Sequence, residues 1–483
     1  MRETSAMSDP RPVSAATRRP GATARDLSAA VGFWQSGIDD EPRPPLRGDR
    51  RADIAVIGGG FTGLWTAIRL LETDPGLRVV MLEAEKVGFG ASGRNGGFCE
   101  ASLTHGLANG IAHWPEEARF LEEEGVRNLA ELVAFVEAHR IDCGLEPTGT
   151  IRLADQPHQA DELRRWADEA AAWGQRLTFL DREAARAAVH SPLWHAGLEA
   201  GPEQNVLVDP ARLCVGLKRV ALDAGAEVHE GTRVTELQRI AGGIRVGTAT
   251  GGRVDASHVV VATSAYSAWL HRLATTFVPV YDYALVSERL TPEQMDAIGW
   301  RGRQGLSDVN NEFHYFRLTA DDRILWGGYD AVYHGGKGVD ARFDERPETF
   351  ERLQRHFFRA FPQLDGLAFP YRWGGAIDTT TTFTVGFGRL LGGRVVYALG
   401  YTGLGVGASR WAAGIVRDML LRPDSELLGL RFVRSTPFPV PPEPLRGAAV
   451  ALMRRELARA DREQGRRGLF LQTMDALGIG FDS

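Results

Sequence analysis

Lysine is almost missing from this chain. Of its 56 basic residues only Lys86, Lys218 and Lys337 are lysine, and the other 53 are arginine. That bias reads mainly as a nucleotide-composition effect of the source genome and only secondarily as function. Cysteine is scarce as well. Cys99, Cys143 and Cys214 have no metal-ligand spacing and cannot all pair, so there is no disulfide framework, and a reducing, cytoplasmic setting is expected. No stretch long enough to span a bilayer is free of charge and glycine, which excludes a transmembrane helix and membrane insertion. Residues 1–30 are rich in Ala, Arg, Pro, Ser and Thr and lack the apolar core of a signal peptide, so they are expected to form a disordered extension. There is no basic stripe and the net charge is −6, which excludes nucleic acid as a partner. No Ser-His-Asp elbow, His-Glu-x-x-His or Cys-x-x-Cys is present, and the twelve histidines are scattered, so no metal site is expected.

What the chain does have is glycine in a telling order. Residues 53–63 read Asp-Ile-Ala-Val-Ile-Gly-Gly-Gly-Phe-Thr-Gly, and Glu83 follows the last glycine by twenty positions. A short apolar strand, the turn Gly58-x-Gly60-x-x-Gly63, an apolar helix, a second strand (78–82) and an acid at its end make the βαβ fingerprint of dinucleotide binding. Gly58 permits the turn, Gly60 admits a pyrophosphate to the backbone, and Gly63 lets helix and strand close up. The helix start at Phe61 and Thr62 presents N–H groups and a partial positive charge to the phosphates. Glu83 can accept hydrogen bonds from ribose hydroxyls.

A nicotinamide enzyme would continue from here into further βαβ units. After Glu83 and Ala84 this chain gives instead a second glycine-rich stretch, Gly88-Phe89-Gly90-Ala91-Ser92-Gly93-Arg94-Asn95-Gly96-Gly97. Its small side chains suit a close backbone approach to an extended cofactor.

Val-Ile-Gly-Gly-Gly-Phe-Thr-Gly-Leu, Leu-Glu-Ala and Gly-Ala-Ser-Gly-Arg-Asn-Gly-Gly resemble the FAD-dependent oxidoreductases of the D-amino-acid oxidase/glycine oxidase superfamily. Within it, the nearest branch looks like the gamma-glutamylputrescine oxidoreductases. The resemblance runs from about Phe33 to the C-terminus. It implies FAD as cofactor, held by Gly58, Gly60, Phe61, Thr62, Gly63, Glu83 and Ala84, then by Gly90, Ala91, Ser92, Arg94, Asn95, Gly96 and Gly97. The segment 208–213 matches the one before the family's second nucleotide-domain helix. Thr232-Arg233-Val234 resembles the strand whose backbone reads adenine, which places Val234 at the cofactor, and residues 259–263 resemble the strand closing the FAD domain. Gly400-Tyr401-Thr402-Gly403-Leu404-Gly405-Val406 resembles the last flavin contact, with Gly403, Leu404, Gly405 and Val406 at the isoalloxazine. A helix dipole aimed there stabilises the anionic reduced flavin.

With 483 residues, 43% of them hydrophobic, the chain can bury more than one core. The expected fold is a discontinuous, Rossmann-like α/β FAD-binding domain (31–105, 200–270 and 370–422) with an inserted α+β substrate domain built on an antiparallel sheet (106–199 and 271–369). Residues 423–483 are expected to be a peripheral C-terminal segment. Helical periodicity marks 116–139 and 159–175, strand character marks 148–153, and period-two alternation marks 278–288, 312–318 and 324–329. A proline-rich crossing (437–444) precedes a helix over 448–463.

The implied reaction is oxidation of an amine by hydride transfer to flavin N5. It gives an imine that hydrolyses to an aldehyde or ketone, with O2 as the electron acceptor. Such chemistry needs no general base. Tyr315 and Arg317 alternate on one strand and so share a face, where Tyr315 could orient an amine and Arg317 could pair with a carboxylate. Tyr401, Tyr281 and Tyr283 are aromatic wall candidates. Lys337 is the lysine best placed to assist oxygen, and Cys99, beside the glycine stretch, reads as a buried structural thiol. Amino-acid-oxidising members carry an arginine after the glycine pair in the segment that here reads Tyr-Arg-Trp-Gly-Gly-Ala-Ile-Asp (371–378). Its absence favours a primary or secondary amine over a simple α-amino acid, unless Arg372 serves in a shifted register. Two other readings stay open: a dehydrogenase passing electrons to a quinone or carrier, and a non-catalytic flavin-binding subunit.

Overall fold

The computed structural model describes residues 13–14, 32–270, 273–336 and 338–476. Strand Asp49–Ile57 pairs in parallel with Val79–Leu82 on one side and Arg253–Val261 on the other. Glu227–His229 extends the sheet beyond Val79–Leu82. The far side forks. The first half of Arg253–Val261 pairs antiparallel with Gly243–Thr248, while its last residues pair in parallel with Val395–Leu399. Both faces of this sheet are covered, which explains why its strands read as unbroken apolar runs rather than alternating ones.

Helices Phe61–Thr73, Pro210–Asp223 and Gly405–Leu421 pack together on one face. The middle one begins where Asp209 accepts the Ala211 and Arg212 N–H groups, each at 3.0 Å, with Pro210 in the first helical position. Helix Ala118–Ala138 joins them, although residues 106–199 were all expected in the substrate domain. Its stripe Leu121, Leu129, Leu132 and Val136 is buried in the same core as Trp65 and Ile415, at about 2 kcal/mol per side chain. Asn128 also donates to the Gly407 carbonyl at 2.9 Å. The helix therefore belongs to the nucleotide-binding body.

The second sheet has eight strands, in the spatial order Tyr371–Thr379, Val278–Val286, Ile324–Gly328, His314–Leu318, Gly305–Asp308, Thr150–Ala154, Ala196–Ala200 and Leu177–Leu180. It is antiparallel except at Gly305–Asp308 against Thr150–Ala154, the seam where the two inserted segments meet. The edge strand Tyr371–Thr379 corrects a boundary, because 370–422 was expected to be wholly FAD-binding. It pairs with Val278–Val286 along its full length, so the FAD-binding body resumes only after residue 379. Helix Pro347–Ala360 covers the outer face of this roof with Phe350, Leu353, Phe357 and Ala360.

Helix Leu445–Arg462 docks on the roof through buried Asp330, which takes Arg454 at 3.0 Å, and through Asp461, which accepts the Asn311 and Glu312 N–H groups. Of the expected N-terminal extension only Val13–Ser14 is described, and it pairs antiparallel with Val234–Ile240; the rest lies outside the described residues. No helix among the described residues is long and apolar enough to cross a membrane.

Candidate active site

The fingerprint turn is built by close approach. Gly58 has φ of 107°, and a Cβ there would sit 2.5 Å from the Ala262 carbonyl oxygen. A Cβ on Gly63 would meet the Gly58 carbonyl oxygen at 2.0 Å. Helix and strand are closer than any side chain permits. Helix Phe61–Thr73 carries no side-chain cap. The Phe61 N–H donates to Ser92 Oγ at 3.0 Å, while those of Gly60, Thr62 and Gly63 have no acceptor among the described residues. Uncapped donors at the positive end of a helix make an anion site.

Glu83 ends the next strand. Its carboxylate accepts the Gly59 N–H at 2.6 Å and the Glu85 N–H at 2.9 Å, which leaves about two of its four lone-pair positions for hydroxyl donors. Burial pushes its pKa up to about 7, against the pull of those two hydrogen bonds. Beyond Ala84, the Thr232 N–H donates to the Glu83 carbonyl at 2.7 Å and Arg233 pairs with Glu85 at 2.9 Å, which ties the residues leading into Val234 to the acid.

The second glycine stretch is held by its own side chains and by the roof. Asn95 Nδ2 donates to the carbonyls of Ala91 and Ser92, and its Oδ1 accepts the Gly97 N–H at 2.8 Å. Arg94 donates to the Phe89 carbonyl and forms a sealed ion pair with Asp344 at 2.6 Å. Burial pushes the Asp344 pKa up to about 6. Trp373 and Trp34 each donate an indole N–H to the loop, at Arg94 and Asn95 respectively. Arg94 and Asn95 were expected at the cofactor, but buried Asp344 and the turn itself claim their side chains. Gly97 is spent as well, its N–H on Asn95 and its carbonyl on the Val208 N–H and Arg317, while Gly90, Ala91 and Ser92 stay partly exposed.

The last turn closes the site. Asp378 accepts the Gly400 N–H and the Ser264 hydroxyl, and its carbonyl accepts the Thr402 N–H at 2.9 Å. Thr62 Oγ1 donates to the Tyr401 hydroxyl at 2.8 Å, tying this turn to the fingerprint helix. Gly403 is exposed, and helix Gly405–Leu421 starts with no side-chain cap on Leu404. The N–H groups of Gly405 and Val406 have no acceptor among the described residues. Two uncapped helix starts therefore serve one site.

Facing these turns is the inner surface of the roof, where Val280, Asp282, Tyr315, Gly375 and Ile377 stay partly exposed between the two bodies. Register sets Asp282 opposite Gly375 and Val280 opposite Ile377. The Tyr315 hydroxyl donates to Asp282 Oδ2 at 2.6 Å. Gly327, its cross-strand neighbour, makes room for it, because a Cβ there would lie 2.5 Å from the ring. Burial pushes the Asp282 pKa up to about 6, with the Tyr315 hydrogen bond opposing.

Arg317 shares the strand face with Tyr315 but does not line the cleft. It is 2% exposed, donates to the Val208 carbonyl at 2.8 Å and the Gly97 carbonyl at 3.4 Å, and lies over the Trp34 ring. Closing the junction between roof and glycine loop takes the donors that a substrate carboxylate would need. Arg372 alternates onto the opposite face, is exposed, and lies 3.8 Å from Glu345. Tyr281 and Tyr283 also point outward, buried, with hydroxyls on the carbonyls of Asp340 and Phe343. Cys99 is fully buried, and burial holds its thiol far above its usual pKa. Lys337 lies outside the described residues. Asp282 escaped the sequence reading, although an acid between two tyrosines in an otherwise apolar strand is a visible signal.

These features define a nucleotide-binding α/β body roofed by a mixed sheet. Residues 53–419 match the DAO model, described as FAD dependent oxidoreductase. The chain belongs to this family of FAD-dependent oxidoreductases. It is 31% identical over 383 residues to gamma-glutamylputrescine oxidoreductase of Escherichia coli, covering 77% of this chain and 84% of the relative. It is 28% identical over 403 residues to a "Probable oxidoreductase OrdL" of Haemophilus influenzae, covering 82% and 89%. Among solved structures, glycine oxidase from Geobacillus kaustophilus superposes with a TM-score of 0.67 at 21% identity, covering 80% of this chain and 99% of that one.

The residues fit FAD. The free N–H groups of Gly60, Thr62 and Gly63 would hold the pyrophosphate, the spare lone pairs of Glu83 the ribose, and the uncapped start at Gly405 the flavin end.

Proposed function

We propose that the protein oxidises a primary or secondary amine, of the gamma-glutamylputrescine kind or another lacking an α-carboxylate at the reacting carbon. The observation that carries this reading is the cleft face of the roof. It presents Ile377 after the glycine pair, its nearby arginines are spent elsewhere, and its one charged side chain is an acid. Bound FAD supplies the acceptor for a hydride from the carbon bearing nitrogen, and O2 then takes the two electrons to give hydrogen peroxide while water hydrolyses the imine. The chain's part is positional. Ile377 and Val280 exclude water, Tyr315 and Asp282 orient the nitrogen, and the Gly405 helix start favours negative charge at the flavin end. The relatives support the class, since they include a gamma-glutamylputrescine oxidoreductase and a glycine oxidase.

The test is anaerobic mixing of the holoenzyme with gamma-glutamylputrescine, putrescine, sarcosine, glycine and D-alanine while flavin absorbance is followed. Bleaching by amines without an α-carboxylate is expected, with rapid recovery in air. Bleaching by α-amino acids alone would overturn the reading, and slow recovery in air would replace O2 by another acceptor.

A further inference from the structure

We infer that Asp282, held by Tyr315, is a recognition site for a substrate ammonium group. The inference rests on the reading of the cleft as an amine site and adds to it the group that selects charge. Asp282 sits on the inner face of the roof, two residues from Val280, with Gly375 opposite and Ile377 one step further along the neighbouring strand. It forms no ion pair with any arginine, lysine or histidine among the described residues, and its carboxylate is held by the Tyr315 hydroxyl and by backbone hydrogen bonds from Tyr283 and Gly328.

A carboxylate with so little water and no counter-ion is costly to keep charged. Asp344 is matched by Arg94, Glu230 by Lys218, and Asp330 by Arg346, Arg352 and Arg454, whereas Glu83 and Asp378 rest, like Asp282, on hydrogen bonds without a counter-ion. Asp282 differs from these in its place: it is partly exposed on the roof face that looks into the cleft. An ammonium ion brings the missing charge, whereas a carboxylate in the same place would meet a like charge. Gly375, opposite the acid, leaves the surface beside it bare of a side chain, so a head group can reach it, while Gly327 lies under the Tyr315 ring. Tyr315 and the backbone N–H groups of Tyr283 and Gly328 take about three of the four lone-pair positions and fix the carboxylate in place, which leaves one position for the cation.

The probe is tert-butylammonium, which carries no hydrogen on the carbon bearing nitrogen and so cannot be oxidised. Its binding to holoenzyme is read from the perturbation of flavin absorbance, beside uncharged tert-butanol and anionic pivalate. In the native protein the ammonium is expected to bind tightest and pivalate weakest. Asp282→Asn, nearly the same in shape, is expected to weaken the ammonium about ten-fold or more and leave tert-butanol unchanged. Equal binding of the three probes, or an ammonium affinity that Asp282→Asn leaves intact, overturns the inference. The native three-probe series needs no variant, so it decides even where Asp282→Asn fails to fold. Amines that bleach native and variant flavin with the same KM would remove Asp282 and keep the proposed reaction. Tight ammonium binding lost in the variant, with no amine bleaching either protein, would keep Asp282 and remove the reaction.

Discussion

The two glycine-rich stretches line one cleft and do opposite things with their hydrogen bonds. In the first, glycines at 58 and 63 bring strand and helix together so tightly that the backbone donors of Gly60, Thr62 and Gly63 have no partner among the described residues. In the second, Asn95 and Arg94 consume the loop's own carbonyls, and Trp34, Trp373 and Arg317 reach in from outside to hold it. One stretch keeps its polarity for a ligand, and the other spends it on joining two bodies. Glycine richness alone does not distinguish them.

The difference can be broken most sharply at Gly63. An alanine methyl there meets a main-chain oxygen at 2.0 Å, which no rotamer relieves. Gly63→Ala is expected to abolish bound flavin and lower the unfolding midpoint by roughly ten degrees, read from flavin content and calorimetry. Near-native flavin content would show that the close approach is dispensable.

Arg94→Ala attacks the other stretch and leaves Asp344 buried and alone, at about 3 kcal/mol. Stability should fall while the residual folded protein still binds FAD, and Arg94→Ala with Asp344→Ala should recover part of the loss. Loss of FAD with unchanged stability would reverse the roles assigned to the two stretches.

Glu83 offers a test by pH. Its folded pKa, about 7, lies above the ordinary value of 4.5, so the fold without cofactor favours the protonated acid. The stability it contributes is complete below pH 4.5 and is lost as pH rises through 7, about 3 kcal/mol in all. Chemical denaturation of FAD-stripped protein should show that decline, and Glu83→Gln should flatten it. FAD affinity should move the other way, since ribose hydroxyls donate best to the ionised carboxylate. The smallest change is Trp373→Phe, which removes one indole donor from the loop and should cost about 1 kcal/mol with flavin content unchanged.

The nucleotide half was legible because its rules are local. Turn glycines, an apolar strand, a helix start and an acid at fixed spacing all lie within residues 53–83. Period-two alternation likewise gave Val278–Val286, His314–Leu318 and Ile324–Gly328 nearly to their ends. What stayed hidden depends on partners distant in sequence. Helical periodicity predicts a helix near Ala118–Ala138 but not which body buries it, and strand Tyr371–Thr379 belongs to the roof only because Val278–Val286 stands beside it. Face sharing by Tyr315 and Arg317 was correct by alternation. Yet their uses diverge, because Val208 and Gly97 sit under one and Asp282 beside the other.

The hydrogen bond from Thr62 to Tyr401 spans 339 residues of chain. On a ribosome the fingerprint emerges early, and its glycine turn could fold against its own strands long before the rest is made. The flavin end of the site does not exist until the segment around Gly405 has left the exit tunnel. A nascent chain therefore carries an apparently complete nucleotide motif for most of its synthesis without a place to put the cofactor. The flavin end is therefore completed only when the segment around Gly405 has joined the fingerprint helix.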